Sequence, residues 1–231
     1  VTCNFITAKD LKKLFQVRGQ FYDVLVGGQR VQCRSVLEIV RMAPLGPGPK
    51  ADPDAIVVMM NPGGSKPLSS VPDLVDHTQL FWNRKKLVLT KPDVTQYQIM
   101  RVMYFCRWNY VRVLNLSDLR EASSASFVKQ YRVLELEHEY MKHSIFSSAR
   151  AAELSRHLQR SAGAPIISAW GTSPQLAPLI SRCARRIRKH GDFIGLPHHE
   201  GEDRYLHPLP HLQIDKRAWV DSMVDLVRPM R

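Results

Sequence analysis

The chain has 231 residues, 44% of them hydrophobic and 23% charged, and its 33 Lys and Arg against 21 Asp and Glu give a formal net charge of +12. A chain of this size buries a sizeable core without disulfide or metal staples, and its composition excludes an acidic disordered chain, a collagen-like repeat and a disulfide mini-protein. A nucleic-acid protein, an anionic-membrane protein and a merely soluble cation remain. In chain order, residues 7–18 read as a short helix capped by Thr7, with Leu11, Leu14 and Phe15 on one stripe. Phe21–Val26 and Arg30–Arg34 flank Gly27-Gly28 as a hairpin, and Ser35–Arg41 reads as a further strand. Residues 43–53 carry Pro44, Pro47, Pro49 and Pro53 and read as a linker, which makes residues 1–42 an N-terminal appendage to a main domain over residues 55–231. That domain alternates strand and helix. Strands are predicted at Ala55–Met60, Val111–Asn115, Pro165–Trp170 and Asp192–Leu196. Helices are predicted at 94–109, at 124–162 with a break near Ser147-Ser148, at 174–190 and at 216–227. Apolar strands separated by helices predict an α/β fold: a three-layer α/β/α sandwich around a central, mainly parallel four-stranded sheet.

Cys3, Cys33, Cys106 and Cys183 are too scattered for a zinc or redox motif and read as reduced, buried thiols, which fits the cytoplasm. No apolar run approaches the roughly 18 residues of a membrane span. The opening Val-Thr-Cys-Asn-Phe soon reaches Lys9, Lys12 and Lys13, unlike a signal peptide.

In parallel sheets the ligand sits at the carboxyl ends of the strands. The first strand ends in Asn61-Pro62-Gly63-Gly64, where glycine permits close approach of a ligand, or simply a tight turn. The second ends in Asn115, a reader of a ligand edge or a cap. The third ends in Ala169-Trp170-Gly171-Thr172-Ser173, where Trp170 also fits plain core packing and Thr172 or Ser173 a helix cap. The fourth leads through His198 and His199 to His207-Pro208-Leu209-Pro210-His211. Its prolines break any His-x-x-x-His register, so no metal and no cofactor is expected. The absence of a P-loop or GxGxxG argues against an NTPase or dinucleotide enzyme.

Taken in this order, the segments resemble the uracil-DNA glycosylase superfamily over about residues 55–215. Asn61-Pro62-Gly63 is similar to the first-strand motif in its mismatch-glycosylase form, and Asn115 to the second-strand Asn that reads the base. Ala169-Trp170-Gly171 is similar to the third-strand segment, and His207-Pro208 to the leaving-group motif. A closer resemblance is to an uncharacterised bacterial family in which Asn-Pro-Ser, Asp-x-Thr, Ala-Trp-Gly and a terminal His-Pro recur. These stand here as Asn61-Pro62-Gly63, Asp93-Val94-Thr95, Ala169-Trp170-Gly171 and His207-Pro208.

The resemblance implies hydrolysis of an N-glycosidic bond in DNA, single- or double-stranded, by a monomer, leaving an abasic site. Asn61 would hold the water, and His207 would donate to the carbonyl oxygen of the departing base. The Gly63 and Gly64 amides would assist, Asn115 and Trp170 would contact the base, and Phe81 or Trp82 would stack on it. Asp93 would activate the water, or else only cap the following helix. Uracil enzymes carry Asp-Pro-Tyr at the first motif, and that Tyr blocks groups on C5. Gly63 leaves room there, so the expected substrate is a 5-substituted pyrimidine, including the bulky bases of modified phage DNA. Such an enzyme would serve repair or antiviral restriction. The competing readings are a non-catalytic module that binds nucleic acid or a modified base, and an enzyme of free nucleosides or nucleotides.

The densest basic run, Arg182 to His190, is expected on the helix before the fourth strand, away from the cleft. The DNA-contact candidates are Lys66, Arg84, Lys85, Lys86 and Arg204, with Leu209 and His211 at the wedge positions after His207.

Overall fold

Gly27 and Gly28 take positive φ of 56° and 77°, the angles of a two-residue hairpin turn whose twist matches that of its strands. They join β1 (Phe15–Val26) to β2 (Gln29–Arg41), antiparallel from Val26↔Gln29 to Phe15↔Arg41. The computed structural model describes residues 5–42, 52–69, 74–75, 86–199, 201–210 and 212–228. The first helix, α1 (Ala8–Leu14), is capped by Thr7 as expected but stops before Phe15. From Phe15 the pattern alternates, with Phe15 and Val17 buried and Arg18 exposed, so the strand period wins over the helical one.

β2 does not end at Arg34. It runs through Ser35 and pairs antiparallel with β7 (Tyr110–Asn115), from Leu37↔Val113 to Val40↔Tyr110. The hairpin is therefore part of the central sheet rather than an appendage beside it. The expected four-stranded sheet is likewise one strand set within a mixed sheet of eight, ordered β4-β6-β1-β2-β7-β3-β8, with β5 against β1. The remaining strands are β3 (Ala55–Met59), β4 (Lys66–Pro67), β5 (Leu74–Val75), β6 (Leu87–Lys91) and β8 (Ile166–Ala169). β3 is buried along its length and pairs in parallel with β7 and with β8, as a continuous apolar run requires.

The predicted fourth strand is reduced to a single parallel bridge, Ile167↔Ile194. The Ser168 amide donates to the Ile194 carbonyl at 2.6 Å, and the Ile194 amide to Ile166 at 2.9 Å. Pro197 then pairs with Tyr205 instead, which turns the chain away. The helices are α2 (Val94–Cys106), α3 (Ser124–Leu136), α4 (Ala151–His157), α5 (Ala177–Ile187) and α6 (Gln213–Val227). The break in the 124–162 region comes earlier than expected. Beyond Leu136 the chain takes a positive φ of 50° at Glu139, buries His143 in a short 3-10 turn and buries Phe146 in the turn that follows.

Strand alternation sends Ile56, Val58 and Leu114 into one core with Phe127 of α3, Leu154 of α4 and Cys183 of α5. Ala55, Val57 and Met59 enter a second core with Leu11 of α1, Met100 of α2 and Met223 of α6. Cys33, Cys106 and Cys183 are buried thiols. Among the described residues no helix is long and apolar enough to cross a membrane.

Gly195 sets how closely the last segment approaches β8, because a Cβ there would collide with the Ser168 carbonyl oxygen and the Tyr205 ring. Gly195→Ala is expected to lower unfolding stability by about 1–3 kcal/mol, measured by urea denaturation.

Candidate functional site

The chain leaves β3 for β7 on one side and later returns past it to β8 on the other. A cleft of about 830 Å3 opens at the carboxyl ends of β3 and β8, the reversal point at which open α/β sheets bind ligands. Its walls come from Asn61–Gly63 after β3, Asp93–Gln96 at the start of α2, Trp170–Ser173 after β8, the segment around His207, and α6. The residues singled out near 60, 93, 170 and 207 thus meet in one place.

Asn61 is held by its amide nitrogen. Nδ2 donates to the Leu119 carbonyl at 3.2 Å and to the Glu121 carbonyl at 2.6 Å. Both amide hydrogens are spent, so Oδ1 is the acceptor left to the cleft. Gly63 follows with φ 59°, in a turn closed by the Ser65 amide on the Pro62 carbonyl at 3.3 Å. A Cβ on Gly63 would meet nothing within 4 Å, so the cleft is open at this point. Gly64 is exposed and is not part of the cleft wall.

Asn115 does not face the ligand as expected. It is fully buried, and in the amide orientation that satisfies both neighbours it donates to the Asn61 backbone carbonyl at 3.2 Å and accepts from Arg34 Nη2 at 3.1 Å. Its hydrogen bonds hold the floor of the site together, and its side chain is buried outside the cleft wall. Trp170 is corrected in the same way. It is fully buried, donates from Nε1 to the Asp203 carbonyl at 2.8 Å, and packs edge-on against Phe193 and Tyr205. It is the core residue that its apolar surroundings favour, and it closes the inner wall of the cleft.

His207 is oriented from both sides. The Leu206 carbonyl accepts from Trp219 Nε1 at 3.0 Å, and the Pro208 carbonyl from Gln98 Nε2 at 3.1 Å. The Leu209 amide donates to His207 Nδ1 at 3.2 Å. An Nδ1 that accepts carries no proton, so the neutral ring bears its hydrogen on Nε2. Burial lowers the His207 pKa to about 4, which keeps the ring neutral near pH 7.

Asp93 is the N-cap of α2. Its Oδ1 accepts the Gln96 amide at 2.8 Å, and Gln96 Oε1 accepts the Asp93 amide at 3.4 Å, a reciprocal capping box. Asp93 also lines the cleft, and its Oδ2 has no partner among the described residues, so the cap leaves one carboxylate oxygen to the site.

The basic candidates are dispersed. Lys66 and Lys86 are exposed and outside the cleft wall. Arg204 shares a separate surface depression with Arg185 and Arg188. The run expected to stand apart therefore joins a residue expected beside the site. Within that run Arg182 pairs with Glu135 at 2.7 Å and Arg188 with Asp203 at 2.9 Å. Leu209 lines the cleft and is half-buried. Phe81, Trp82, Arg84, Lys85 and His211 lie outside the described residues. Among the described residues no three His, Cys, Asp or Glu side chains form a metal-ligating group. Ser117 Oγ, His143 and Glu135 form a chain of 2.8 Å contacts with triad-like geometry. Ser117 and His143 are fully buried outside the cleft, so this chain holds structure and offers no nucleophile.

Sequence reasoning missed Arg34, Gln98 and Trp219. Arg34 and Gln98 stand among polar neighbours, Gln32 and Ser35 for the one and Thr95 and Gln96 for the other, so no local signal marked them as buried. Trp219 looks like any core aromatic until its Nε1 partner is known. Trp219→Phe is expected to cost about 1–3 kcal/mol, because the buried Leu206 carbonyl loses its donor. It should also speed hydrogen exchange at the Leu209 amide as His207 loosens. Equilibrium denaturation and exchange mass spectrometry check the two effects. No family model, no curated protein and no solved structure matches the chain.

Proposed function

We propose that the chain is a DNA glycosylase that extrudes and excises a modified, 5-substituted pyrimidine, leaving an abasic site. The observation that carries this reading is the meeting of Asn61, Asp93 and His207 around one cleft, each with one polar atom left over. Asn61 Oδ1 holds the attacking water, with its amide locked by two carbonyls. Asp93 Oδ2 receives the water's proton as the sugar carbon is attacked and balances the charge of the oxocarbenium-like sugar. His207 donates from Nε2 to the carbonyl oxygen of the departing base, where negative charge develops. A neutral donor suits this step, since it needs no proton from solution. The space at Gly63 supports a substrate with a group on C5. The half-buried Leu209 at the cleft, with Leu206 and Leu212 exposed nearby, supplies apolar side chains for the gap left by an extruded base.

The same reading includes the three-layer α/β/α architecture of the uracil-DNA glycosylase superfamily, supported by helices in both cores and by the strand order β7-β3-β8 followed by Ile194. It includes a monomer at work in the cytoplasm, which its buried thiols suit, a role in repair or in restriction of modified phage DNA, and a polyanionic partner for a chain of net charge +12. One observation favours a second reading, a non-catalytic module that binds a modified base: the Asp93 carboxylate is already engaged in a helix cap.

Duplexes carrying 5-substituted pyrimidines, together with phage and cellular DNA, test the proposal through alkali-labile sites and released bases measured by mass spectrometry. Excision is expected from 5-substituted duplexes, and Asn61→Ala or His207→Ala should each slow it by about 10²–10³ without loss of DNA binding. Cleavage of plain uracil DNA alone would remove the C5 assignment. Binding without any excision would leave the module.

The pH dependence follows from His207. Its folded pKa lies near 4, below the unfolded value of about 6.5, so between these values the native state binds fewer protons than the unfolded one. Its contribution to stability is complete above pH 6.5 and is lost as pH falls toward 4. Protonated Nδ1 would also face the Leu209 amide donor to donor. Excision by the folded protein is therefore expected to be level from pH 8 to about 5 and to fall through pH 4, a fall that His207→Gln should remove from the residual activity.

A further inference from the structure

Arg34 is 1% exposed and lines the cleft. Asn115 takes one hydrogen bond from its Nη2. Its Nε and Nη1, both buried, have no acceptor, and no carboxylate lies within ion-pair distance among the described residues. Asp93 and Asp118 are near enough to favour its charge, while burial and Arg120 oppose it. A cation withdrawn from water without paired acceptors works against folding. Native chains rarely retain such a group unless an acceptor arrives later. Its neighbours in β2 make the contrast plain. Ser35, Val36 and Leu37 are fully buried with no charge to satisfy, so an apolar residue at position 34 would suit the fold better.

We infer that Arg34 is a recognition residue at the floor of the cleft, binding an oxygen acceptor of the ligand, either a carbonyl of a pyrimidine or an oxyanion, by a charge-assisted hydrogen bond. This rests on the ligand-binding part of the reading above and deepens it, because it names the chemistry the ligand must present. A guanidinium offers donors only, so it selects acceptor oxygens and disfavours an amino edge in the same place. The Asn115 bond fixes the plane of the guanidinium, and the same Asn115 holds the Asn61 backbone. The residue that recognises the ligand and the residue that holds the water are thereby tied to one buried amide.

The test uses the full chain and its Arg34→Met and Arg34→Lys variants. Thermal melting and calorimetric titration are run with uracil, with 5-carboxyuracil and with inorganic phosphate. At least one probe is expected to bind the wild-type chain and to bind Arg34→Met about 10- to 100-fold more weakly. Arg34→Met gives up the bond to Asn115 together with the unpaired buried charge, so it should melt within about 2–4 °C of the wild type, whereas loss of an arginine whose role is purely structural would lower the melting temperature well beyond that. Equal losses for uracil and 5-carboxyuracil assign the acceptor to the base carbonyls, a loss confined to 5-carboxyuracil assigns it to an oxyanion on C5, and a loss confined to phosphate assigns it to a phosphate group. If Arg34→Met fails to fold, Arg34→Lys decides, and it should also bind more weakly because an ammonium cannot reproduce the planar donor set. Failure of all three probes to bind the wild type, or wild-type affinity in the deciding variant, would overturn the inference. The excision assay is read separately. Arg34-dependent binding without excision would remove the glycosylase and keep this assignment, whereas excision with unchanged probe binding in the variants would do the reverse.

Discussion

The amide of Asn115 is the contact on which the site depends. It is fully buried between Arg34 of β2 and the backbone carbonyl of Asn61 beyond β3, and so it couples the antiparallel half of the sheet to the parallel half. Parallel pairing of β3 with β7 brings Met59 opposite Asn115, which puts Asn61 within reach. The next turn continues the same link, with the Leu116 amide on the Met59 carbonyl at 2.8 Å and the Asn61 side chain on the Leu119 and Glu121 carbonyls. A polar group this deep is tolerated because both its oxygen and its nitrogen have a partner, and with the interior's low dielectric each bond is stronger than it would be in water.

A buried ionic cluster supports that turn from behind. Arg150 bonds Asp118 at 2.6 Å and Glu153 at 2.7 Å, and Tyr22 donates to Asp118 at 2.7 Å. Burial works against the Arg150 charge, but Asp118 and Glu153 outweigh it and hold the pKa above its ordinary value. The Asp118 carbonyl in turn accepts the Arg34 amide at 2.8 Å. Arg150 and Arg34 are the informative contrast. Both are buried in the same region, yet among the described residues one has its carboxylates in contact and the other does not, and the one without them lines the cleft.

On the opposite wall the same economy positions His207 through backbone rather than side-chain contacts. Carbonyls on either side of it are gripped by Trp219 and Gln98, and Gln98 is itself held by Arg101, which reaches the Ile6 carbonyl near the N-terminus. Residues far apart in the chain thus converge on one imidazole. The net charge of +12 reads differently beside this geometry. Several of its cations are consumed by internal pairs, as at Arg150 and Arg182, and among the described residues the cleft wall holds one cationic side chain, the buried Arg34, beside the carboxylates of Asp93 and Asp215.

The sequence by itself determined the local grammar of this protein. The apolar runs at 55–59, 110–115 and 166–169, the Gly27-Gly28 turn and the Asp93 cap were legible because each depends on neighbours a few residues away. The meeting of the strand-end segments was legible too, since parallel strands bring their carboxyl ends to one edge of the sheet, and Asn61, Asp93 and His207 stand at one cleft there. What only the tertiary structure decided was which polar groups are left over. The joining of the hairpin to β7, the spending of Asn115 on Arg34 and Asn61, the burial of Trp170 and the freedom of Arg34 all depend on partners tens of residues away. Local pattern carries the period of a strand, but whether a buried hydrogen-bonding group is satisfied is settled only when the distant chain that could satisfy it has been packed against it.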